Sequence, residues 1–343
     1  MTTNYFKNFG SENFQKLVGF CKRNLLKDKP LWYGTVYIGT QPLYIECHVK
    51  WISDKIDKFF VKTLPNQHVR GAKQLYLLNA GVPDFMRMPS LDPDVYFLND
   101  DLLNVPNVIV HPNCIFLKNE DDFYMSVDQN DDNNFDLLGE NHLLMRLFYY
   151  ILQNTQTTVV HGSVVAYNGF GVLITGASGV GKSTLAAHCL TNGLQFVGDD
   201  RIALHIENSK IIANPVYTSI SIKTKIPNIK YTDILRMPNK DKNVFILEKS
   251  QISDNIRICD VIEPFHANID KPSIEPVSKN NIITSICNDY SRHSVLARST
   301  NLIQDYKHIF NLLCNCGFYR INLSKSIVEN AHFIIDLIKN KGL

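Results

Sequence analysis

The feature that most constrains this chain is the stretch GASGVGKS at Gly176–Ser183, which satisfies the phosphate-loop pattern G-x-x-x-x-G-K-[ST]. The apolar run GVLIT leads into it, and KSTLAAHCLTNG, a pattern typical of a helix, follows it. Glycine at three of these positions lets successive backbone N–H groups turn toward a phosphate, where side chains would obstruct them. The sequence therefore predicts a strand, a loop that binds a nucleoside triphosphate, and a helix in direct succession.

The residues of this loop have different expected parts in holding the nucleotide. Lys182 is expected to bridge the β and γ phosphates, and the hydroxyl of Ser183 to hold Mg²⁺. The helix that begins at Lys182 directs the positive end of its dipole at the same anion. ATP with Mg²⁺ is the expected pair, and the loop alone leaves another phosphate donor open. The predicted nucleotide-binding residues are Gly176, Ala177, Ser178, Gly179, Val180, Gly181, Lys182, Ser183 and Thr184.

Two adjacent acids, Asp199 and Asp200, follow the run LQFVG, which we interpret as the next buried strand. In a parallel sheet they would emerge at the same carboxyl edge as the phosphate loop. Neighbouring residues at a strand end point in opposite directions, so the two acids are expected to differ in role. Our interpretation makes Asp199 the base that takes the acceptor proton and Asp200 the carboxylate on the metal side, and the reverse order stays open.

His161 ends the apolar run TTVV, before the strand that leads into the loop. If the two strands are neighbours, its imidazole reaches the catalytic edge and supports the acids. A histidine after an apolar run is otherwise a structural residue, and that alternative stays open. The predicted catalytic set is His161, Lys182, Asp199 and Asp200, with Ser183 and Asp200 as metal ligands.

Composition limits the classes of partner. The formal net charge of the chain is only +2, and its aromatic residues do not alternate with basic clusters, which argues against nucleic acid as a partner. No apolar run approaches the ~20 residues of a membrane span, and the opening MTTNYFKNFG has no signal core. The 8 cysteines form no CxxC pair. We therefore expect a cytoplasmic protein with reduced thiols, no membrane partner, and either a monomeric or a homo-oligomeric state.

A length of 343 residues favours two domains. Residues 1–139 contain short runs rich in Tyr, Val, Ile and Phe, separated by turn residues, and are predicted to form a β-rich α+β domain of unknown role. We interpret the acidic stretch from Asn119 to Asp136 as an exposed connector. Residues 140–343 are predicted to form an α/β P-loop domain.

The whole pattern from His161 to Asp200, HGSVV through GASGVGKS to GLQFVGDD, resembles the HPr kinase/phosphorylase family and its wider group of related P-loop kinases. The resemblance implies a P-loop kinase core similar to that of phosphoenolpyruvate carboxykinase, from about Glu140 to the C-terminus. It also implies that the His, the loop Lys and Ser, and the Asp pair match the catalytic residues of the family. The activity it implies is ATP-dependent transfer of the γ-phosphate to a hydroxyl group.

Two departures separate this chain from HPr kinase itself. Thr184 stands where those kinases usually carry Glu, and their Arg-Pro-Gly-Arg-like loop is absent. The region from Ile274 to Thr300 is instead similar to kinases that modify peptides or other small acceptors, including lasso-peptide tailoring kinases. Arg292 and Arg298 are candidates there for a positive charge on the transferring phosphoryl group.

The acceptor stays open at this stage. A Ser of a peptide or protein is the first interpretation, and a small-molecule hydroxyl is the second. A non-catalytic nucleotide-binding regulatory module is the third, and a simple ATPase is the fourth. The sequence does not separate the first two.

Overall fold

The computed structural model describes residues 11–84, 108–111, 114–127, 148, 151–152, 155–236, 241–293 and 302–341. The chain separates into two compact units. The first consists of Met1–Val36, Pro42–Asp57 and Lys62–Leu137, and the second of Tyr37–Gln41, Lys58–Val61 and Leu138–Leu343. The predicted domain boundary between residues 139 and 140 lies outside the described residues and stays a prediction.

The first unit is built on a seven-stranded sheet in the order β3-β1-β2-β4-β7-β6-β5. Strands β2, β4 and β7 run parallel, whereas β1 with β3, and β5, β6 and β7 in sequence, pair antiparallel. Helix α1 contributes Leu17 and Cys21 to a core that also contains Leu78 and Tyr124. The elements are α1 (Ser11–Leu25), β1 (Trp32–Ile38), β2 (Gln41–Cys47), α2 (Lys50–Phe59), β3 (Thr63–Pro65), β4 (Lys73–Asn79), β5 (Val108–His111), β6 (Cys114–Asn119) and β7 (Asp122–Val127).

One sequence interpretation was wrong in this unit. The acidic stretch was expected to be an exposed connector, yet its residues Asp122–Val127 form β7, whose last five residues are buried. Strand β7 pairs with β4 on one side and β6 on the other. The short run FYMSV is apolar enough for an interior strand. The acids and asparagines around it lower the apolar content of the whole stretch, which was the basis of the sequence interpretation.

The second unit contains a nine-stranded sheet, whose main path runs β11-β9-β10-β17-β13-β12-β8. Strand β19 pairs with β17 and β18, and a separate three-stranded sheet has the order β14-β16-β15. The strands are β8 (Thr158–His161), β9 (Ser163–Tyr167), β10 (Phe170–Ile174), β11 (Gln195–Gly198), β12 (Arg201–Glu207), β13 (Lys210–Pro215), β14 (Ser219–Ile222), β15 (Tyr231–Arg236), β16 (Asn243–Leu247), β17 (Ile256–Ile269), β18 (Ser273–Pro276) and β19 (Gly317–Ser324). The helices are α3 (Lys182–Thr191), α4 (Lys279–His293), α5 (Leu302–Leu313) and α6 (Ile327–Lys341). The mixed α/β fold predicted from the sequence is thus confirmed.

The strand that leads into the phosphate loop is central and buried. Strand β10 pairs antiparallel with β9 and parallel with β17. Its last four residues are buried, as is typical of a strand covered on both faces. Helix α3 packs against α6 and β9, and its Leu185 and Ala186 join one core with Ile174 and Phe196. The loop is therefore anchored at both ends in packed structure.

Two short turns give this sheet its local order. Asn168 and Gly169 both adopt left-handed backbone angles, which suits the tight hairpin between β9 and β10. Asn208 and Ser209 do the same in the hairpin between β12 and β13. Strand β9 lies between β10 and β11 and pairs antiparallel with both. Strands β10 and β11 therefore run in the same direction without being neighbours.

Candidate active site

The phosphate loop joins β10 to α3 and has the backbone form that its glycines allow. Gly176, Gly179 and Gly181 have φ values of 131°, 85° and 96°. Such angles are unfavourable for L-residues, so each glycine is required by the backbone. Nothing lies within 4 Å of a Cβ built on Gly179, whereas one on Gly176 would meet the side chain of Glu263 at 3.3 Å. The loop leaves open space at its centre.

Apart from Lys182, the other loop residues are exposed or half-buried. Ala177 and Ser178 are exposed, and Val180 is half-buried. Thr184 is exposed in the first turn of α3, and Ser183 is half-buried. A helix leaves its first N–H groups without partners in its own backbone, so those at the start of α3 are available to an anion at the loop. The loop between β10 and α3 is thus accessible from solvent, as binding of a nucleotide phosphate requires.

Lys182 is buried and folded back onto the loop. Its side-chain Nζ donates hydrogen bonds to the carbonyl oxygens of Gly176 at 2.8 Å and Ala177 at 3.1 Å. Burial lowers the pKa of Lys182, and the nearby carboxylates of Asp199, Asp200 and Asp289 oppose that shift. The ammonium thus closes the loop on itself while staying in the field of three acids.

Asp199 is the buried member of the acid pair, at 3% exposure. The hydroxyl of Ser163 donates to its Oδ1 at 2.5 Å, and the backbone N–H of Ser221 donates to its Oδ2 at 3.0 Å. Burial raises the pKa of Asp199, and hydrogen bonds from Ser163, Ser221 and the Ser183 side chain oppose the rise. These contacts hold the Asp199 carboxylate inside the protein, close enough to the loop for Asp199 to affect the pKa of Lys182 and for Ser183 to affect the pKa of Asp199.

Asp200 faces a different neighbour. Its φ is 66°, a left-handed angle that Asp tolerates better than most residues. His161 Nε2 lies 3.4 Å from its Oδ1. The buried Arg201 donates from Nη1 to the Asp200 carbonyl at 2.9 Å and to its Oδ1 at 3.2 Å. About a quarter of the Asp200 side chain, 26%, is exposed, so this carboxylate is open to a second molecule.

His161 reaches the site by a route that the sequence did not predict. Its strand, β8, pairs with β12 through the register His161↔Arg201, and is not a neighbour of β10. Gly162 lies between β8 and β9. A Cβ on this residue would lie 2.7 Å from the Ile174 carbonyl oxygen. His161 is the last residue of β8, Ser163 begins β9, and His161 lies beside Asp200.

One residue of this cluster was missed by the sequence analysis. Asp289, on α4, accepts a hydrogen bond from His161 Nδ1 at 3.0 Å. No motif marks it, because it lies in the polar run CNDYSRH, 128 residues from His161. Arg292 lies near the end of the same helix, and Arg298 lies outside the described residues.

The donor set fits a magnesium nucleotide. No group of three His, Cys, Asp or Glu side chains suited to a metal occurs among the residues that the structure describes. Mg²⁺ commonly takes one or two protein oxygens and completes its shell with water and substrate phosphate. The Ser183 hydroxyl and the carboxylates of Asp199 and Asp200 are oxygens of this kind, and both carboxylates lie near Lys182 of the loop.

Comparison with known proteins gives a partial match centred on this site. Residues 153–234 match the family model of the HPr Serine kinase C-terminal domain. The chain is 46% identical over 56 residues to the HPr kinase/phosphorylase of Halalkalibacterium halodurans, covering 16% of this chain and 18% of that protein. It is 29% identical over 89 residues to the HPr kinase/phosphorylase of Lactobacillus delbrueckii subsp. bulgaricus, covering 26% of this chain and 28% of that protein. The matches thus span less than a third of the length of either relative.

Among solved structures, the chain is similar to the Hpr(Ser) kinase/phosphatase from Coxiella burnetii. The TM-score is 0.29 and the sequence identity 16%, over 54% of this chain and 95% of that one. No helix in the described part of the chain is long and apolar enough to cross a membrane.

Proposed function

We propose that this chain, related to the HPr kinase family through residues 153–234, is an ATP-dependent kinase that phosphorylates a hydroxyl group, most simply a Ser of a peptide or protein. The observation that carries the proposal is the division of the acid pair. Asp199 is buried and accepts hydrogen bonds from Ser163 and Ser221, whereas Asp200 is partly exposed and lies beside His161. In this proposal Asp199 acts on the nucleotide side of the site and Asp200 is accessible to an acceptor. Both belong to a proposed P-loop kinase core.

The loop residues bind the donor. The backbone N–H groups of residues 176–181 and the first turn of α3 receive the phosphates. Lys182 exchanges its two carbonyl contacts for phosphate oxygens, and its proximity to three acids favours the charged form needed there. Ser183 and a carboxylate would hold Mg²⁺, which when bound would neutralise charge on the β and γ phosphates.

The contacts support the reverse of our first assignment of the two acids. A base must come within hydrogen-bond reach of the acceptor hydroxyl. Both oxygens of Asp199 already accept hydrogen bonds in a buried site, whereas Asp200 is partly open. We therefore propose Asp200 as the base and Asp199 as the carboxylate that supports Ser183 and the metal.

The reaction then balances as follows. The acceptor O–H gives its proton to Asp200 as its oxygen bonds to the γ phosphorus, and the bond from that phosphorus to the β,γ-bridging oxygen breaks. ADP leaves with the electron pair of that bond. His161 lies beside Asp200, the carboxylate that takes the proton, with its Nε2 3.4 Å from Asp200 Oδ1.

A protein acceptor is supported by the relatives, which are named as kinases of HPr. A small-molecule acceptor and a non-catalytic nucleotide-binding module are the competing functions. We include a cytoplasmic location in the proposal because no disulfide joins any of the 8 cysteines, all of which the structure describes.

The test is transfer of label from γ-labelled ATP and Mg²⁺ in a lysate of the source cell. Wild type and Asp200→Asn are compared, and polypeptides are separated from small molecules. Label on a polypeptide with wild type alone supports the proposal. Label found only in the small-molecule fraction would show that the acceptor is a small molecule and not a polypeptide. ATP binding without acceptor labelling or turnover favours the regulatory module.

A further inference from the structure

His161 is held from two sides by residues of different elements. Its Nδ1 lies 3.0 Å from Asp289 Oδ2, and its Nε2 lies 3.4 Å from Asp200 Oδ1. A carboxylate oxygen accepts, so the Nδ1–H donates to Asp289. This leaves Nε2 as the ring atom that faces Asp200.

The position of Asp289 is fixed by the packing of its helix. Ile286 and Tyr290, on either side of it in α4, are 3% and 6% exposed. Helix α4 also packs against β8, the strand that ends at His161. The buried neighbours of Asp289 therefore fix its carboxylate next to the His161 ring. The Asp289 side chain itself is 30% exposed.

We propose that Asp289 is a positioning residue for phosphoryl transfer, because it holds the His161 ring with Nε2 toward Asp200. The inference rests on the proposed function in that the His161–Asp200 pair is taken to activate the acceptor. A histidine that donates its second nitrogen to a carboxylate is fixed in ring orientation, and such partners commonly change the function of the residue they orient by tenfold or more. Without Asp289, the ring is free to turn about its Cβ–Cγ bond and present another edge.

The experiment uses the full chain with Asp289→Ala, the isosteric Asp289→Asn, and Ser285→Ala as a control on an exposed position of the same helix. The initial rate of label transfer from γ-labelled ATP to the polypeptide pool of the source cell is measured at saturating ATP. The dissociation constant of Mg·ATP is measured separately by calorimetry. The ¹⁵N resonances of the His161 ring are recorded in each variant and assigned with His161→Gln.

Asp289→Ala is expected to lower the transfer rate about tenfold or more and to change the affinity for Mg·ATP less than about twofold. In a His161→Gln background the same substitution should cause no further loss, because Asp289 acts through that ring. The Nδ1 resonance of His161 should move in both Asp289 variants and stay in place in Ser285→Ala.

An unchanged transfer rate in Asp289→Ala overturns the proposal, as does an equal loss of rate with and without His161. If wild type transfers no phosphate at all, the proposed function fails. The ring resonances then decide this inference by themselves, and an Nδ1 signal that does not move in Asp289→Asn overturns it.

Discussion

Asp199 and Asp200 are consecutive residues with separate partners: the first accepts hydrogen bonds from Ser163 and Ser221 inside the protein, and the second lies beside His161 at its surface. The left-handed φ of 66° at Asp200 turns the chain between strands β11 and β12 and separates the two carboxylates. Because their surroundings differ, two identical side chains acquire different access to a substrate.

Removing the loop lysine should impair nucleotide binding first. Lys182→Ala is expected to weaken Mg·ATP binding about tenfold or more, because a hydrogen bond to a charged group contributes about 1.5–3 kcal/mol. Calorimetric titration measures the affinity, and label transfer should be lost with it. Lys210→Ala, an exposed lysine in the β12–β13 hairpin, is the control. Equal affinity for the two variants would contradict the assignment of Lys182.

Two glycines provide a matched pair for testing the loop backbone. Gly179 and Gly193 have φ values of 85° and 95°, and a Cβ on either would meet nothing within 4 Å. Alanine at each position should therefore cost about 1 kcal/mol of stability, measured by urea unfolding. Only Gly179→Ala should also weaken ATP binding, because Gly193 lies at the far end of α3. A similar loss of affinity in Gly193→Ala would show that the effect is not local to the loop.

The raised pKa of Asp199 makes stability depend on pH in a defined direction. Burial lifts this pKa above its ordinary value of 3.8, so the folded protein holds the proton more tightly than the unfolded chain. The stabilisation from that proton is complete below the ordinary value and is lost as the pH rises through the folded pKa. The Asp199→Asn variant has no ionisable group at this position, so its stability does not fall with rising pH for this reason.

Urea unfolding of wild type and Asp199→Asn, without nucleotide or Mg²⁺, tests this at about pH 4 and about pH 7. The stability of the variant relative to wild type is expected to improve toward the higher pH. A difference between the two proteins that is the same at both pH values would rule out a raised pKa at Asp199.

Local patterns predicted the parts of the site that are formed by neighbouring residues. The loop, the helix that begins at Lys182, and the glycine after that helix with φ of 95° all depend on chemistry within a few positions. The similarity of this segment to HPr-kinase-related proteins was also predicted and is confirmed by the family match over residues 153–234.

Contacts between distant residues were not predictable in this way. The pairing of His161 with Asp289 joins two segments 128 residues apart, and depends on α4 packing against β8. Strand β8 pairs with β12, and the next residue, Gly162, has no room for a side chain because a Cβ there would lie 2.7 Å from the Ile174 carbonyl oxygen. Such steric conditions arise only once the sheet is assembled.

The most direct test of the account compares Asp199→Asn and Asp200→Asn with wild type in two measurements, the Mg²⁺ dependence of ATP binding and the rate of label transfer. Asp199→Asn is expected to raise the Mg²⁺ concentration needed for binding. Asp200→Asn should bind Mg·ATP as wild type does and lose transfer by about a hundredfold or more, the typical contribution of a general base. Near-normal transfer by Asp200→Asn would contradict the central claim that this carboxylate activates the acceptor.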